Sequence, residues 1–316
     1  MNNDPLNHID PLGLYQSDIH YYMTFFLAVA AGVPAEDARV IALATQYVDE
    51  NNDTKPVDPT NVGTIIWSAT YNQQMLIKYH FTLSDAKTGK TINAYDNSLL
   101  NTVVNNPSDQ LNNLLAASAK AECKNAKLQF YGEYLHAFED TYSHRDKTNK
   151  PYDALGWFGL GVGHGLADGS EPDYTFDDST NGWDVRAQRT LAMELEVFNK
   201  FNLSPFKTGK EIDINILKAT LVQFNSIKES EETEKNKTEA DKFEQKFTLL
   251  NQVMAEWGIK NEDGSAIDFF NQNNFKKLEP IAESNRDQFL CDAKGNRLTE
   301  ADYPGTILPT NACPKI

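Results

Sequence analysis

A mainly α-helical fold is what this 316-residue chain predicts. Two observations carry that expectation. Apolar residues recur every three or four positions through most of the chain after Tyr15, the period of a helix with one buried face. The composition, 40% hydrophobic and 23% charged, suits a packed core rather than disorder. The length allows one large domain or two modest ones.

Residues 1–14 differ from the rest, with Pro5, Pro11 and Gly13 as breakers. Asp18 is placed to cap a first helix that runs to about Ala31, and Gly32 is its stop signal. Pro34 opens a second helix, patterned by Val40, Leu43, Ala44 and Tyr47 and ending near Asp49. Residues 63–84 hold β-branched and aromatic side chains and predict a short strand; residues 84–106 read as irregular. Pro107 opens a long helical stretch to about His144, with one break. Residues 145–184, rich in Gly, Asp and Pro, read as one long loop, and loops of that length in compact domains are usually functional.

Helical patterning resumes near Val185 and continues to Phe201. Residues 228–242 mix Lys and Glu densely, as in a solvated helix or a linker. Phe243, Phe247, Leu250, Met254 and Trp257 form an apolar helical row that predicts core packing, stopped by Gly258. The segment from Asn261 is loop-rich. A metal-binding part over about residues 15–205 and a helical, loop-rich extension over about 206–316 is the expected division.

The net charge is −16 and the pI about 4.8. Such a chain has no generic attraction for nucleic acid or anionic lipid, so no specific nucleic-acid binding is expected. A phosphate substrate stays open, because bound cations invert the local field. The cysteines Cys123, Cys291 and Cys313 are too few for a disulfide scaffold or a thiolate zinc module; Cys291–Cys313 is the plausible bridge. The longest apolar run, Met23 to Val33, is too short to span a bilayer. The first fifteen residues have no signal-peptide pattern, so export would need another route.

The histidines carry the chemical signal. His136, Asp140 and His144 follow one another at steps of four. On a helix each step advances about 400°, so the three project as one stripe. His164 and Asp168 repeat the step, with Asp173 close behind. Upstream lie His20 at the start of the first helix, Asp49 at the end of the second, and His80. Imidazole and carboxylate together suit zinc best, and iron, nickel or manganese less well. Eight such side chains suit a cluster of two or three ions rather than one tetrahedral ion.

The order of these residues resembles that of the zinc-dependent phospholipase C and S1/P1 nuclease family, helical enzymes with a trinuclear zinc centre. The resemblance spans about residues 15–173, and residues 135–144 look especially like the central helix of the lipase-type members. It implies a first zinc ion on Asp49, His80, His136 and Asp140. Asp140 would bridge to a second ion shared with His20. His144, His164 and either Asp168 or Asp173 would hold a third. It implies phosphodiester hydrolysis, with Asp49 as a ligand and as proton acceptor for the attacking water. Trp157 and Phe158, in the glycine-rich run before His164, would touch lipid or stack on a base, or else close the core.

Residues 5–14, with Asp10-Pro11-Leu12-Gly13-Leu14, resemble the end of the core region of Rhs-repeat polymorphic toxins. That resemblance implies aspartate-dependent self-cleavage after Leu14, involving Asp10, and a toxin domain that begins at Tyr15. It also implies an Rhs cage and a contact-dependent, type VI-like delivery apparatus, a rival cell as the destination, a cognate immunity protein, and a phospholipid membrane as substrate. In the phospholipase family a free N-terminal amine also binds metal. Cleavage would create such an amine on Tyr15, five residues before His20, and so complete the site.

Overall fold

The computed structural model describes residues 17–50, 54, 76–83, 109–121, 124–153, 171–228 and 242–271. Among these residues the fold is mainly helical, and the extended pairing is limited to isolated bridges. In chain order come α1 (Thr24–Ala30), α2 (Ala35–Glu50), α3 (Asp109–Lys120), α4 (Lys124–Ser143), α5 (Arg186–Leu203), α6 (Ile214–Phe224) and α7 (Glu244–Glu256). Two π-helical turns, Asp18–Met23 and Leu76–His80, precede α1 and follow α2. No described helix is long and apolar enough to cross a membrane.

Most helix boundaries fall where the breakers put them. Gly32 ends α1 with φ +93°, a conformation that a side chain disfavours. Its carbonyl accepts the N–H of Gly209 at 2.8 Å, and a Cβ on Gly32 would sit 2.5 Å from the Gly209 oxygen. The long stretch after Pro107 breaks once, at Ala121, between α3 and α4.

Three expectations are corrected. Of residues 63–84, the described ones, 76–83, form no strand, and the rest lie outside the described residues. Ile77, Tyr79, Phe81 and Leu83 alternate as in a strand, but the intervening His80 and Thr82 are buried too, and the chain turns as a π-helix. Asp18 does not cap α1; it lies inside the first π turn and its carboxylate meets Lys246. Trp257 is 36% exposed, because the helix ends just before it, whereas Phe247, Leu250 and Met254 are fully buried. Helix α6 was not foreseen: Asp213 caps it by accepting the N–H of Asn215.

One hydrophobic core runs from Ile19 on the first π turn to Phe269 after α7. Helix α4 crosses it and is buried almost all round. Helix α2 packs along α4 in the same direction: Thr45 donates to the Gly132 carbonyl at 3.2 Å, and Asp49 lies beside His136. Gly132 permits this approach. A Cβ there would lie 2.5 Å from the Ile41 carbonyl oxygen and 2.7 Å from the Ala44 side chain.

Candidate metal centre

The candidate ligands arrive from several separate elements. Asp49 rides the last turn of α2, while His136 and Asp140 stand one turn apart on α4. His20 and His80 come from the two π-helical turns, an element that appears mostly as short insertions, often at functional sites. His144 follows the end of α4. Its N–H donates to the Asp140 carbonyl at 3.0 Å, its own carbonyl accepts from Tyr152 at 3.0 Å, and Phe81 stacks on its ring at 4.1 Å.

These six side chains converge. Three groups have ligand atoms within 4.8 Å of one another: His20 with His136 and Asp140, Asp49 with His80 and His136, and His80 with Asp140 and His144. Asp140 is the hub. Its Oδ2 lies 3.0 Å from His80 Nδ1, 3.2 Å from His136 Nε2 and 3.1 Å from His144 Nε2, while Oδ1 lies 3.3 Å from His20 Nε2. Asp49 Oδ1 is 3.5 Å from His136 Nε2 and 3.8 Å from His80 Nδ1. Four ligands at about 2.0–2.2 Å from a tetrahedral ion stand about 3.3–3.6 Å apart, close to these separations.

The hydrogen bonds behind the rings fix which nitrogens face inward. His80 Nε2 lies 2.9 Å from the Thr54 carbonyl, which can only accept, so that nitrogen carries the hydrogen. The other ring nitrogen, Nδ1, then faces Asp140 Oδ2 at 3.0 Å and His136 Nε2 at 3.1 Å. Two acceptors, the ring nitrogen and the carboxylate oxygen, meet there, and a proton or a metal cation reconciles them. His20 repeats the arrangement. Its Nδ1 donates to Glu139 Oε2 at 2.7 Å, and the Thr24 hydroxyl donates to Oε1 at 2.8 Å. His20 Nε2 is left facing Asp140. Outer nitrogens held by oxygen acceptors and inner nitrogens converging on a carboxylate are the second-shell pattern of metal-ligating histidines.

Electrostatics say the same. Burial works against a charged His20, yet the hydrogen bonds and charges of Asp140 and Glu139 outweigh it and hold its pKa well above the ordinary value. His136 is pushed down to about 3 by burial and by the neighbouring His20 and His80, against the pull of Asp140, so it is neutral and ready to ligate. Burial opposes an ionised Asp140, but His136 and His144 overcome it and keep the carboxyl well below its usual range.

His20, His136 and Asp140 are fully buried, whereas the Asp49 side chain is 11% exposed, the most of the six.

The buried imidazole and carboxylate groups can hold a divalent metal ion. Of the other predicted residues, Asp173 is buried on the short 3-10 turn Glu171–Asp173 and joins none of the three groups. Asp10, Leu14, Tyr15, Trp157, Phe158, His164, Asp168, Cys291 and Cys313 lie outside the described residues. Sequence reasoning overlooked Glu139. It neighbours Asp140 in the chain, and the only signal was an acid beside a ligand on a helix otherwise read as core.

Residues 15–150 match a family model described as a family of unknown function (DUF6765). That stretch contains all six converging side chains. No curated protein matches the chain, and neither does any solved structure.

Proposed function

We propose that the chain is a metal-dependent phosphodiester hydrolase, and specifically a zinc-dependent phospholipase C acting on membrane phospholipids as an antibacterial effector toxin. The observation that supports the metal is the pair of histidines, His20 and His80, whose outer nitrogens are occupied and whose inner nitrogens face Asp140. Nitrogen and oxygen donors without thiolate favour zinc among common ions and suit a catalytic rather than a purely structural site. Two or three zinc ions would supply charge neutralisation and Lewis-acid activation of a phosphodiester and of water.

The chain's own residues would divide the remaining work. Asp140, fully buried, holds the histidines together. Glu139 and the Thr54 carbonyl orient the rings of His20 and His80. Asp49, nearest solvent, would accept the proton of the attacking water. The net charge of −16 suits a neutral or zwitterionic lipid headgroup better than a long polyanion. The toxin reading draws on the Asp10-Pro11-Leu12-Gly13-Leu14 motif, and the family match begins at the next residue, Tyr15. An Rhs cage, a contact-dependent secretion apparatus and an immunity protein are the partners that reading carries.

The test is to incubate the zinc-loaded chain, cleaved after Leu14, with mixed phospholipid vesicles and, separately, with single-stranded DNA. Release of diacylglycerol and a phosphorylated headgroup, abolished by a chelator and by Asp140→Asn, is the expected result. Cleavage of the DNA alone would reassign the site to a nuclease. No hydrolysis of either substrate would remove the enzyme reading.

A further inference from the structure

One residue of α7 breaks its apolar row. Lys246 is fully buried between Phe243, Phe247 and Leu250 on the face that meets the core. Its Nζ stands 2.5 Å from Asp18 Oδ2, 228 residues away in sequence, and donates to Thr175 Oγ1 at 3.1 Å. The Phe224 and Phe243 rings lie against the same ammonium, with centroids at 4.9 and 5.5 Å. Glu194, fully buried on α5, lies in the same electrostatic neighbourhood as Lys246, Asp18 and Glu139.

A buried ion pair contributes little net stability, since desolvation offsets the attraction; its best-attested use is to fix register. Here the register at stake is visible. Asp18 is the first residue of the π turn, and His20 is the third. Glu139 orients the His20 ring and, through the Thr24 hydroxyl, which also donates to the Ile19 carbonyl at 3.1 Å, reaches the far end of the turn. The contact from α7 fixes its first residue, Asp18.

We propose that Lys246 is a positioning residue for the metal centre: by clamping Asp18 it fixes the π turn that brings His20 to Asp140, so that the ion bound by His20, His136 and Asp140 depends on a helix outside the family-matched stretch. This rests on the metal-centre reading above. It makes the segment that carries α7 part of the centre rather than an appendage. The ion on Asp49, His80 and His136 should not share this dependence, because none of those three ligands is carried on the Asp18–Met23 turn.

The experiment uses the full chain with Co2+ and Zn2+ as probes, read by equilibrium dialysis and by the visible absorption of bound Co2+. Lys246→Met and Asp18→Asn each break the clamp from one end. Leu250→Ala, on the same buried face of α7, is the control that lowers stability without touching it. The expected result is affinity at the His20-containing site at least ~10-fold weaker in both clamp variants, the scale of outer-shell changes. The absorption of the remaining bound Co2+ and the affinity of Leu250→Ala should be unchanged. If Lys246→Met does not fold, the double variant Asp18→Asn/Lys246→Met removes both charges together and is read the same way. Unchanged metal affinity in a folded clamp variant, or an equal loss in Leu250→Ala, overturns the inference. A wild-type chain that takes up neither ion overturns the metal-centre reading itself, and this inference with it.

Discussion

Helices α4 and α7 are both long and both buried in the same core, but they bury opposite things. Helix α7 turns Phe247, Leu250 and Met254 inward and leaves Ala255 and Glu256 exposed. Helix α4 is buried on nearly every side and keeps Glu133, His136, Glu139 and Asp140 inside. The row on α7 follows from the hydrophobic effect alone. The row on α4 does not, because buried polar and charged groups are costly unless paired. Helix α7 is thus a packing element with one ionic contact, and α4 is the wall of a site.

The largest expected effect breaks the α4 side of this contrast. Asp140→Asn removes the charge on which His20, His80, His136 and His144 converge. Divalent-ion affinity should fall by more than the ~10–100-fold seen for outer-shell changes, to no retained zinc after dialysis. Phe247→Ala should break the α7 side, costing about 3–5 kcal/mol in chemical denaturation. The zinc content of the folded variant should be unchanged.

Gly132→Ala should blur the contrast, because its new Cβ would press on the Ile41 carbonyl and push α2 away from α4. A loss of about 1–3 kcal/mol is expected, together with weaker metal binding as Asp49 withdraws from His136. Denaturation and zinc titration of one sample would measure both. Proton linkage sharpens the α4 side. The His20 pKa is raised in the metal-free protein, so below that pKa a proton must leave when Nε2 takes a cation. Zinc affinity should rise about tenfold per pH unit up to the His20 pKa and level off above it; His136, already neutral, adds no such proton. Calorimetric titration in buffers of different ionisation enthalpy counts the protons released. The smallest effect is expected at Trp257, where replacement by Ala at the exposed end of α7 should change stability by no more than ~0.5 kcal/mol.

The same contrast explains what was legible in the sequence. Periodicity is a one-dimensional signal, and it placed α2, α4, α5 and α7 and the glycine stops at Gly32 and Gly258. The four-residue step of His136, Asp140 and His144 is equally local, and it named the wall of the site. His20, Asp49 and His80 were named as its companions by the resemblance of the chain's ligand order to the zinc-dependent phospholipase C and S1/P1 nuclease family, and not by any local pattern. What escaped is three-dimensional. Ile77, Tyr79, Phe81 and Leu83 are buried at alternate positions as in a strand, but His80 and Thr82 between them are buried too, and Leu76–His80 is a π turn. Asp18 looks like a helix cap until Lys246 is seen beside it. Glu139 has meaning only once His20 and Thr24 approach it from another helix. Lys246 reads as an odd residue in an apolar row, and only its partner gives it a role.

The most direct test of the central claim is the divalent-metal content of the purified chain after dialysis, compared with that of Asp140→Asn. The account predicts more than one tightly held zinc ion per wild-type chain, raised thermal stability on zinc addition, and neither in the variant. A wild-type chain that stays metal-free at micromolar free zinc, with its melting temperature unmoved, would contradict it.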